Sequence, residues 1–115
     1  MAFMAVAFPI LPGKTEAWRS WMSEMQPGGA RHADFVESRR SVGVHERTSL
    51  QQTPMGDLVI VVLEGDDPMR SFGEFSSRQD EFARWFNAKV QEFHGVDLTQ
   101  GMPGPPPELL IDTKA

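Results

Sequence analysis

The chain contains no cysteine, which excludes disulfides, thiol catalysis and thiolate metal sites. Positive charge is scarce: 11 Lys and Arg stand against 16 Asp and Glu, leaving a formal charge of −5. With a pI near 5.1, that balance argues against nucleic acid or an anionic membrane as partner. Long hydrophobic runs are missing too. The stretch at residues 1–8 is apolar, but it lacks a basic flank, and Pro9 and Pro12 interrupt it. The expected setting is cytoplasmic, with no membrane association. Histidine is sparse, and His32, His45 and His94 do not fall at a metal-site spacing. Phosphate loops, the dinucleotide fingerprint, the nucleophile elbow and calcium-loop spacing are all absent. No metal and no cofactor are expected.

What is present is an ordinary globular composition, 40% apolar and 23% charged, over 115 residues. That length suits one core. We read residues 1–100 as one domain and residues 101–115 as a Pro-rich tail. Residues 3–8 are apolar on both parities and read as a strand. Thr15 can cap a helix carrying Trp18, Trp21, Met22 and Met25 at i, i+3, i+4, i+7 spacing. A second helical stretch covers residues 31–40, where Arg39 and Arg40 read as a solvated face. Residues 44–52 are polar on both parities and read as an edge strand. A turn at residues 53–57 leads to residues 58–63, all aliphatic, which should form a central strand. Asp67 before Pro68 opens a short helix. Ser76 or Ser77 can cap a longer one, with Phe82, Trp85, Phe86, Val90 and Phe93 as its apolar stripe and Gly95 as its stop. Residues 96–99 read as a short strand, and residues 108–112 could add another.

This order predicts an α+β fold: a ferredoxin-like βαββαβ unit with a four-stranded antiparallel sheet and helices on one face. Right-handed crossovers would centre the first and third strands. The sheet's other face would then stay apolar and bare. Four strands of about five residues present roughly 300 Å² there. Covering that area contributes roughly 8 kcal/mol gross per subunit, against an association cost of ~4–15 kcal/mol. A homodimer closed sheet to sheet, as a dimeric α/β barrel, is the expected assembly.

Several segments support a family resemblance: Phe8-Pro-Ile-Leu-Pro-Gly-Lys14, Gly43-Val-His-Glu46, Gln51-Gln-Thr-Pro-Met-Gly-Asp57, Glu64-Gly-Asp-Asp-Pro68, Arg84-Trp-Phe86 and His94-Gly-Val-Asp-Leu98. In these the chain resembles an uncharacterised bacterial family of the dimeric α/β-barrel superfamily, distantly similar to antibiotic-biosynthesis-monooxygenase-like domains. The resemblance implies a barrel around a pocket. It spans cofactor-independent monooxygenases, haem-degrading enzymes, isomerases and plain ligand binders, so it does not select a chemistry. Some haem-degrading relatives combine an Asn on the first strand with a later Trp and His. Residues 3–8 hold no Asn, which argues against that activity here.

Candidate chemistry concentrates in few residues. His94 and Asp97 flank a helix-to-strand junction, where a carboxylate could orient an imidazole acting as general base. The simpler account is that His94 complements the helix C-terminus. His45 and Glu46 lie on opposite faces of a polar strand, so one of them faces inward. Trp85 is either core packing or part of a ligand wall. The expected function is binding of a small apolar or aromatic molecule by a homodimer. The alternative is a cofactor-independent monooxygenase or isomerase using a His/Asp base, and a third reading is an interaction module using the tail at residues 103–107.

Overall fold

The structure, a computed structural model, describes residues 1–114. Three antiparallel strands, β1 (Ala2–Pro9), β2 (Val44–Thr53) and β3 (Gly56–Gly65), form one sheet in the order β1-β3-β2. Val61 pairs with Val6 on one side and Thr48 on the other, which makes β3 the centre. Its aliphatic residues suit a central strand, paired on both edges. Four helices, α1 (Thr15–Met25), α2 (His32–Arg40), α3 (Pro68–Ser77) and α4 (Glu81–His94), cover one face. Met4 and Phe8 of β1, Val44 of β2, and Val59 and Leu63 of β3 meet Trp21, Phe72 and Phe93 in the core. Leu63 is fully enclosed there.

Helix ends follow local chemistry. Asp67 accepts from the Arg70 amide, and Pro68 occupies the first turn of α3. Asp80, rather than Ser76 or Ser77, caps α4 by accepting from the Ala83 amide at 2.9 Å. The two serines are already inside α3. Thr15 lies inside α1 and donates its hydroxyl to Asp57 at 2.6 Å. Gly95 ends α4 at φ 68°, a left-handed conformation that glycine adopts without strain.

The expected four-stranded βαββαβ sheet does not form, and the paired-sheet barrel built on it is set aside with it. Residues 96–99 make no ladder; Leu98–Gln100 is instead a single 3₁₀ turn, η1. Two forces explain the change. Asp97 accepts from the Thr99 amide at 3.0 Å, a local bond that competes with strand pairing. Leu98 is buried, so core packing anchors the turn. Beyond it, Pro103, Pro105, Pro106 and Pro107 have no amide hydrogen for a ladder. Residues 108–112 form no strand either, and Leu109, Leu110 and Ile111 are exposed. As a result β1 is an edge strand and not a central one.

The sheet's other face is uncovered among the described residues. Phe3 is 66% exposed there, beside Ala5 and Ala7, with Ile60 and Val62 partly buried. Among the described residues no helix is long and apolar enough to cross a membrane.

Candidate functional site: a cavity between helices and sheet

A cavity of about 700 Å³ separates the helical layer from the inner face of the sheet. Phe8, Val59 and Val61 form its floor. The α1 stripe, Trp18, Trp21, Met22 and Met25, forms one wall, and Phe72, Phe75, Phe86 and Val90 form another. Such a size, with apolar walls and a few placed polar groups, is the usual character of a small-molecule site.

The polar groups fall into three sets. The first is an ion pair between α2 and β2: Arg39 Nε donates to Glu46 Oε1 at 2.7 Å, and both side chains are only 6% exposed. Strand alternation turns Glu46 inward with Val44, Thr48 and Leu50. The other Glu46 oxygen accepts from Thr48 Oγ1 at 2.7 Å, and Arg39 Nη1 donates to Ser38 Oγ at 2.8 Å. The guanidinium lies 3.7 Å from the Phe75 ring centroid, with Phe86 at 4.7 Å and Phe35 at 4.8 Å. An arginine held by three rings and a carboxylate keeps its charge compensated inside the protein.

The second set is His94, the last residue of α4. Its Nδ1 lies 2.8 Å from the Pro9 carbonyl oxygen. A carbonyl only accepts, so Nδ1 carries the hydrogen, and Nε2 holds the lone pair whenever the ring is neutral. Burial pushes the His94 pKa below its ordinary 6.5, outweighing the Pro9 bond, which favours the protonated form. His94 borders the cavity, so the site holds an unprotonated imidazole at neutral pH. His32, also on the lining, similarly donates Nδ1–H to the Met25 carbonyl at 2.9 Å.

The third set is two indole N–H groups. Trp18 and Trp21 are 5% and 3% exposed, and neither Nε1 finds an acceptor among the described residues. Buried donors are nearly always partnered, and leaving one unpaired costs about 1–3 kcal/mol.

The residues singled out by sequence are placed unequally. His94 and Glu46 border the cavity. His45 reaches its edge, but its ring lies on the outer face of the sheet, 63% exposed and 3.9 Å from Glu64. Asp97 is exposed and spends its carboxylate on Thr99, so it does not join His94. Trp85 is partly buried outside the cavity lining, packed on Phe82 and Trp21 with the Arg31 guanidinium 4.4 Å above it. Sequence reasoning missed Arg39, Trp18 and Trp21 as site residues. The spacing of Phe35 and Arg39, one helical turn apart, was the available signal for Arg39. Among the described residues no group of His, Asp and Glu is arranged to hold a metal ion. Comparison of the chain with family models, with curated proteins and with solved structures finds no match.

Proposed function

We propose that the protein binds a small apolar or aromatic molecule in the cavity between its helices and its sheet. The observation that carries this reading is the cavity of about 700 Å³ itself, walled by Trp18, Trp21, Met22, Phe72, Phe75 and Phe86. The reading rests on the cavity and not on the family resemblance. A thermal-shift screen of a metabolite panel, repeated on Trp21→Phe, tests it. Hits should raise the wild-type melting temperature and lose most of that shift in the variant; an equal shift in both would overturn the assignment.

A second reading is supported by His94. A neutral imidazole with Nε2 free on the lining suits a general base for a cofactor-independent isomerase or monooxygenase. It would act without Asp97, which lies elsewhere. Turnover of any bound hit, abolished in His94→Gln with binding retained, would favour the enzyme.

A homodimer and a cytoplasmic setting belong to the same proposal. The uncharged strip of Phe3, Ala5, Ala7, Ile60 and Val62, flanked by polar outer positions of β2, has the apolar centre and polar rim of an interface. A second copy of the chain would match it by symmetry. Light scattering should give twice the 12.9 kDa chain mass, and a monomer at micromolar concentration would end the idea.

A further inference from the structure

We propose that the Arg39–Glu46 pair makes the cavity selective for electrically neutral ligands, and that Glu46 is the residue that sets this selectivity. The inference rests on the binding function proposed above and names the ligand class.

An arginine in an aromatic cavity would ordinarily be a carboxylate trap, because its planar fork matches a carboxylate in two hydrogen bonds. Here its charge is already compensated by Glu46. Glu46 takes the Nε hydrogen at 2.7 Å and Ser38 takes one from Nη1 at 2.8 Å. Thr48 holds the second oxygen of Glu46 at 2.7 Å, so the carboxylate cannot swing aside without losing a further bond. The pair adds no net charge to the wall.

The other titratable groups on the lining stand apart from this pair. His32 and His94 each spend Nδ1–H on a backbone carbonyl. His45 is exposed beside Glu64, and Arg19 is half exposed and faces Glu16 at 3.4 Å. Water screens both of these outer groups.

An anion entering the cavity would therefore shed its water for apolar walls and an arginine already neutralised, which is unfavourable. A cation would likewise shed its water, and the rings of Phe35, Phe75 and Phe86 already face Arg39. A neutral molecule meets neither penalty.

Three probes of nearly equal shape separate these cases: 2-acetylnaphthalene, 2-naphthoate and 2-naphthylmethylammonium, measured by equilibrium dialysis at pH 7.5 on the full chain. The ketone should bind at least tenfold more tightly than either ion. In Glu46→Gln, which keeps the shape but removes the negative charge, the carboxylate should gain at least tenfold relative to the ketone. A carboxylate equal to the ketone on the wild-type chain overturns the selectivity while leaving the binding function standing. An unchanged ratio in the folded variant overturns the role of Glu46. Binding of none of the three overturns the binding function and this inference together. Should Glu46→Gln fail to fold, the wild-type series still decides whether the cavity rejects charge. Thr48→Val, which loosens Glu46 without removing its charge, then supplies the variant arm. It should shift the ratio toward the carboxylate by a smaller factor, and no shift there overturns the role of Glu46.

Discussion

Breaking the Arg39–Glu46 pair from one side should be far more costly than removing it whole. Both side chains are only 6% exposed, so each single substitution leaves a buried charge without its partner. Such a loss costs about 3–5 kcal/mol. Glu46→Leu would leave the guanidinium with three rings and Ser38 as its only neighbours of use. Arg39→Met would leave the carboxylate with Thr48 alone, although the thioether can still pack on Phe75. In the double variant no charge remains to desolvate, and its stability should lie within about 1 kcal/mol of wild type or above it. Against a total of about 5–15 kcal/mol for a domain of this kind, each single variant should still fold and be measurable. Urea unfolding followed by tryptophan fluorescence supplies the comparison, with an unchanged slope as the check that only stability has moved. A Glu46→Leu cost below about 1 kcal/mol, the range of exposed pairs, would refute the view that this pair is shielded from water.

Three further outcomes follow from the same geometry. Trp85→Ala should cost on the order of 3 kcal/mol by thermal or urea melt, because its ring supports Phe82 and Trp21, yet leave probe binding in the cavity unchanged. His94 is held below its ordinary pKa, so the unfolded chain takes up its proton first as pH falls. Stability from this group is present above about pH 6.5 and is lost as pH drops toward the lower folded value; in His94→Gln the difference between melts at pH 7.5 and 5.5 should shrink. Asp97→Ala removes the acceptor that caps η1 and should cost about 1 kcal/mol without affecting probe binding; a loss of binding would place Asp97 in the site after all.

How much of this could be read from the chain depends on the range of the forces involved. β3 was legible because an aliphatic residue at every position leaves few alternatives to a central strand. The α1 and α4 stripes were legible because helical spacing shows which face is buried. Residues 96–99 were misread because alternation there is too short to outweigh one aspartate bonding two residues ahead. Arg39 was misread for a different reason: its partner Glu46 lies on another element, and Phe75 and Phe86 come from other helices, so only the Phe35 spacing is local. The inward parity of Glu46 was present in the flanking Val44 and Leu50. The cavity itself was not legible. Periodicity marks a buried face, but whether the side chains on it fill their space depends on how the layers meet.

The proline-rich tail bears on how the protein behaves when crowded. Met102, Pro103 and Pro105 face Val6, Ala7 and Phe8 across a cleft beside β1, an edge strand whose free rim would otherwise stand open to strand addition. Chains that have lost such cover are prone to stack rim to rim into fibrils. The opposite rim, β2, carries His45, Arg47 and a run of amide and hydroxyl side chains, a poor template for stacking. Cutting the chain after Gln100 would expose the one rim with an apolar strand behind it, and slow fibril growth on storage is the behaviour that would follow.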